Sequence, residues 1–139
     1  MKERNHSILH DYGNKPLIFN IDAITKLNTN FRTTLWTGKY LQLTVMSIPV
    51  GKDIGLEMHS YLDQFIRVES GNAFVMMGKT KEKLDYCKKI DSNYAIIIPA
   101  NTYHNIINIG QNPLKLYSIY APPQHPFNTI HKTKEDAEE

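Results

Sequence analysis

The stretch Gly51-Lys-Asp-Ile-Gly-Leu-Glu57-Met-His59-Ser-Tyr-Leu-Asp-Gln64-Phe-Ile-Arg-Val-Glu-Ser-Gly71 carries polar side chains where a strand should be apolar. In an extended backbone successive side chains alternate, so Glu57 and His59 share one face and Leu56 and Met58 take the other. The same parity groups Gln64 with Ile66 and Val68, and sets Phe65, Arg67 and Glu69 opposite. An amide therefore sits on an aliphatic face. A second such stretch lies downstream in Pro99-Ala-Asn101-Thr-Tyr103-His104-Asn-Ile-Ile-Asn108, where His104 opens an alternating run with Ile106 and Asn108. A carboxylate, two imidazoles and an amide can thus converge on one interior.

Working outward, the chain from Ile18 to Tyr120 breaks into short apolar or alternating runs punctuated by Gly, Asn, Asp and Pro, the pattern of an all-β domain. The runs Thr34–Trp36, Leu41–Ile48, Leu56–Ser60, Gln64–Glu69, Ala73–Met77, Leu84–Ile90, Ala95–Pro99, His104–Asn108 and Leu114–Tyr120 are rich in Val, Ile, Thr and aromatics and are predicted strands. They suit a sandwich or barrel. Ile21–Leu27 reads as a short helix, and the polar tail from Lys132 as a frayed one. The expected organisation is an N-terminal arm with its helix over residues 1–30, a barrel over 31–121, and a tail over 122–139.

Composition narrows the class. With 139 residues, 41% hydrophobic and 22% charged, the chain matches one globular domain, and a net charge of +2 is too weak a field to imply nucleic acid or an acidic membrane as partner. The longest apolar run is far below the roughly 18 residues of a membrane span. The start Met-Lys-Glu-Arg-Asn-His6 has no apolar signal core, so the expected location is the cytoplasm. Cys87 is alone, which excludes an intrachain disulfide and a multi-thiolate zinc knuckle.

A divalent metal gives a physical reason to gather Glu57, His59, Gln64 and His104, since neutral imidazole nitrogen, carboxylate and amide oxygen are all acceptable ligands. One carboxylate against a divalent ion leaves about +1, which favours an anionic oxygen ligand or loss of a proton from bound water. Glu57, His59 and His104 alone form a two-histidine, one-carboxylate set of the kind used by non-haem iron.

The two stretches resemble the two signatures of the cupins. In the first signature a Gly, His-x-His, a Glu and a Gly follow in order. Gly51 and Gly71 match; Glu57 stands for the first His, His59 for the second, and Gln64 for the Glu. The second signature, Pro-x-Gly-x-x-His-x-x-x-Asn, is matched by Pro99, His104 and Asn108 with Asn101 in the Gly position, a mild exchange because Asn tolerates positive φ. The resemblance covers roughly residues 32–121 and implies a double-stranded β-helix, or jelly-roll barrel, with a metal in one mouth. Cupin metals are commonly held by three His and one Glu, so this set keeps the ligand charge while departing at two places. Cupin-like phosphomannose isomerases of type I use Gln, two His and Glu on zinc; here Gln and Glu are exchanged.

The expected cofactor is a divalent transition metal: iron, manganese, zinc or nickel, with cobalt also compatible. Tyr103, Phe31, Trp36 and His125 are the expected walls of a substrate cavity, the last reaching it if the Pro-rich segment 122–126 crosses the barrel. No Lys or Arg is identified in the mouth, because Arg67 has the wrong parity. His6, His10 and His131 read as surface residues. The expected function is binding or transformation of a small oxygen-bearing molecule by isomerase, lyase or oxygenase chemistry. Phosphosugar isomerisation and non-catalytic ligand or metal binding are its alternatives. A homodimer through the outer sheet face is expected.

Overall fold

A computed structural model describes residues 8–138; His6, the first seven residues of the arm and Glu139 lie outside the described residues. The strands are β1 (Arg32–Thr37), β2 (Gln42–Ile48), β3 (Asp63–Ser70), β4 (Ala73–Gly78), β5 (Tyr86–Ile90), β6 (Ala95–Ile98), β7 (Tyr103–Asn108), β8 (Leu114–Ala121) and β9 (Ile130–His131). Among the described residues, the short helices α1 (Ile21–Leu27) and α2 (Lys134–Ala137) flank them. The larger sheet runs β6-β3-β8-β2-β1-β9 and the smaller β5-β4-β7, with every strand pair antiparallel. This is the jelly-roll arrangement of a double-stranded β-helix.

Parity decides the two faces of the larger sheet. Met46 and Ile48 of β2, Ile66 and Val68 of β3, Ile96 and Ile98 of β6, and Leu114 and Leu116 of β8 point inward. There they meet Ala73, Val75 and Ile106 of the smaller sheet in one buried cluster. Each such side chain contributes about 1.5–3 kcal/mol by leaving water. The intervening residues Leu43, Val45 and Tyr117 point outward with Leu35 into a second cluster, covered by Leu9, Phe19, Ile21 and Ile24. Helix α1 forms there because Asn20 caps its first turn by accepting from the Ala23 amide, and Asp22 and Lys26 suit its two ends.

The expected strand Leu56–Ser60 does not form. Instead the segment 53–57 touches β7 through two isolated bridges, Asp53 with Ile107 and Glu57 with His104. Gly55 lies between them at φ +92°, a conformation that interrupts an extended ladder and that only glycine adopts without strain. Conversely, the tail holds a strand the sequence did not suggest: β9 pairs with β1, Arg32 opposite His131 and Thr33 opposite Ile130. The tail then ends in α2, closed by a reciprocal capping box between Thr133 and Asp136.

Candidate metal centre

The Glu57–His104 bridge is reciprocal: each residue's amide donates to the other's carbonyl at 2.9 Å. Two side chains 47 positions apart in sequence are thereby held directly opposite. His59 is tied in by the Asn101 amide, which donates to its carbonyl at 2.7 Å. Asn101 itself takes φ +67°, the left-handed conformation expected of the residue in the Gly position of the second signature.

Glu57, His59 and His104 each offer one donor atom, and these atoms lie within 4.8 Å of one another. The Glu57 Oε1 is 3.8 Å from His59 Nε2 and 3.7 Å from His104 Nε2, too far for a hydrogen bond. His104 is fully buried, His59 nearly so, and Glu57 partly open. Thr102 places its carbonyl 3.0 Å from His104 Nδ1. A carbonyl only accepts, so Nδ1 carries the proton and Nε2 keeps a free lone pair.

Gln64 stands on the inner face of β3, opposite Tyr120 in the register with β8. Its Nε2 donates to Ser118 Oγ at 2.8 Å, which leaves Oε1 as a free acceptor. The buried atoms Gln64 Oε1, His59 Nε2 and His104 Nε2 have no hydrogen-bond partner. Buried polar atoms without partners cost about 1–3 kcal/mol each, so the two imidazole nitrogens beside Glu57 indicate a missing acceptor of their lone pairs. Burial opposes ionisation of Glu57, but the charge of Arg32 favours it, and the carboxyl is held at about 2. The carboxylate faces two imidazole rings, a donor set suited to a divalent ion.

Beside these donors lies a cavity of about 400 Å³ whose wall includes Phe31, Arg32, Glu57, His125, His131 and Lys134. The Pro-rich segment does cross the mouth, because the fully buried Gln42 anchors it: Oε1 accepts from the amides of Gln124 and His125, and Nε2 donates to the His125 carbonyl. The His125 ring lies edge-on to Tyr120, with Nε2 3.4 Å from the hydroxyl. Burial and then the charge of Arg32 push the imidazole down to about 3, so it is neutral near pH 7.

Phe31 and His125 line this cavity. Trp36 does not: it packs on the outer cluster, its indole donating to the Lys15 carbonyl, and lines a separate apolar groove with Phe19, Leu43 and Ile119. The β-bulge in β1 between Thr34 and Trp36 makes simple alternation fail there. Tyr103 pairs with Gly78, and alternation on β7 turns it away from His104, with Asn105 and Ile107. His131 is half-buried in the mouth instead of lying on the surface, while His10 is exposed. Arg32, His131 and Lys134 were missed as cavity residues. The expected first strand opened at Thr34, leaving Arg32 outside the parity reading, and nothing in the polar tail signals that it returns to the barrel.

A family model described as Cupin domain matches residues 44–120. The uncharacterized protein YrkC of Bacillus subtilis (strain 168) is 54% identical over 135 residues, 97% of this chain and 73% of YrkC. The uncharacterized protein L612 of Acanthamoeba polyphaga mimivirus is 38% identical over 118 residues, 84% of this chain and 72% of L612. The crystal structure of BH2720 from Bacillus halodurans superposes with a TM-score of 0.92 at 54% identity, covering 93% of this chain and 98% of that one.

Proposed function

Because this chain belongs to the cupin domain family, we propose that Glu57, His59, Gln64 and His104 hold one divalent transition metal and that a small oxygen-bearing organic molecule is bound or transformed beside it. The observation that carries this proposal is the pair of buried, unpartnered imidazole nitrogens gathered with the Glu57 carboxylate within 4.8 Å. When bound, the ion supplies Lewis acidity toward an oxygen ligand. The protein supplies the rest. Thr102 fixes the His104 tautomer, Ser118 turns the Gln64 amide so that its oxygen is free, and the Glu57–His104 backbone pair sets the spacing. His125, neutral and against the Tyr120 hydroxyl, gives the cavity a base whose proton affinity is low.

Elemental analysis of protein loaded with manganese, iron, nickel or zinc tests the site. About one ion per chain is expected in the unaltered protein and none in the His59→Ala, His104→Ala double variant. Equal stoichiometry in both would remove the centre. Glu57→Gln should weaken binding more than Gln64→Ala, because it deletes the only charge among the ligands.

A further inference from the structure

Arg32 stands on the cavity wall with its side chain all but out of water, at 3% exposure. A guanidinium in such a place costs several kcal/mol unless an anion or a full set of acceptors answers it. Here the answer is partial. Nη1 lies 3.2 Å from His131 Nδ1, a neutral acceptor, and Cζ lies 5.3 Å from the centre of the Phe31 ring. Nε is buried with no partner. Among the described residues no carboxylate comes within 4 Å of the guanidinium.

Of the other charged residues lining the cavity, Glu138 is exposed to water. Glu57 faces the two imidazoles, and the Lys134 ammonium is bonded to Asp53. Arg32 is therefore buried with no carboxylate paired to it and lines the same cavity as Glu57. The vacant Nε edge of a guanidinium is planar and pairs with the two oxygens of a carboxylate. A single positive charge matches a monoanion better than a phosphate dianion, and about 400 Å³ suits a small molecule.

We infer that Arg32 anchors the carboxylate of the cavity's ligand, which is a small organic acid carrying a second oxygen donor for the metal. The second oxygen rests on the metal site proposed above; the carboxylate anchor does not. His131 is a positioning residue that holds Nη1 and so leaves the Nε edge turned to the ligand.

Calorimetric titration with L-lactate, pyruvate and malonate, and with lactamide as the uncharged counterpart of lactate, tests this on metal-loaded and metal-free protein. At least one carboxylate should bind the loaded protein. Lactamide should bind at least 10-fold more weakly than lactate, and Arg32→Met should lose at least 30-fold in carboxylate affinity with metal content unchanged. Arg32→Lys, which keeps the charge without the planar edge, should fall between. Carboxylate affinity unaltered in Arg32→Met, equal binding of lactate and lactamide, absence of binding by every carboxylate, or tighter binding of inorganic phosphate than of any carboxylate would each overturn the inference. The lactate and lactamide comparison uses the unaltered protein and stands even where a variant misfolds. Arg32-dependent carboxylate binding without stoichiometric metal would sustain the anion anchor and sink the metal centre; bound metal with Arg32-independent binding would do the reverse.

Discussion

The two ends of the barrel interior are built from the same strands and behave in opposite ways. Reading inward-facing residues along the register, Ile48 lies opposite Leu114, and Met46 and Val68 flank Leu116. Two steps on, Thr44 and Ile66 flank Ser118, and at the far end Gln42 and Gln64 flank Tyr120. One end is filled with aliphatic side chains in contact with one another. The other buries amides, hydroxyls and imidazoles, several lacking partners. The difference teaches that the first end supplies folding energy and the second spends some of it to keep donors in place, as functional sites do.

That division can be broken by substitution. The largest effect should come from the apolar end: Leu116→Ala, at a fully buried position, should cost about 3 kcal/mol in urea denaturation of metal-free protein while leaving metal stoichiometry intact. Loss of metal without loss of stability would mean the two ends are not separable.

A smaller effect is expected from pH. His125 is held near 3 in the fold, well below the ordinary imidazole value near 6.5. Its depressed value means that the unfolded chain takes up the proton first as pH falls. The stability due to its neutral burial is present above about 6.5 and is lost progressively below, by about 1.5 kcal/mol between pH 6.5 and 5. Denaturation midpoints of the unaltered protein and His125→Gln, compared at both pH values, should show that part of the slope vanish in the variant. An identical slope would place His125 in water.

The smallest effect sharpens the comparison by converting part of the polar end. Gln64→Leu removes a buried acceptor that has no partner, at the cost of one hydrogen bond to Ser118. The metal-free protein should gain about 1 kcal/mol in denaturation midpoint terms, and metal affinity should fall. A clear loss of stability would show that the Gln64–Ser118 bond, not the free oxygen, governs this position.

Legibility in the sequence followed local rules. The inward parity of Gln64, Ile66 and Val68, the outward parity of Arg67, and the left-handed Asn101 could all be read from nearest neighbours, because alternation and φ preference are properties of a few consecutive residues. Gly71, at φ +110° with Leu114 close by, belongs with them. Alternation misled where the backbone departs from a regular strand, at Gly55 just before the segment read as Leu56–Ser60. Arg32 and His131 escaped because their partnership joins positions 99 apart, through a two-residue strand too short to have a pattern.

The amino-acid sequence by itself determined the all-β class, the face that residues of the regular strands take and the side-chain types Glu57, His59 and His104 bring together, since these depend on side-chain chemistry and on periods of two. Only the tertiary structure decided that Gln42 draws the tail across the mouth and that β9 brings His131 to Arg32. It also decided that an arginine is left buried with no carboxylate paired to it. Those outcomes depend on which distant backbone groups find each other when the sheets close, and no local period in the chain encodes that.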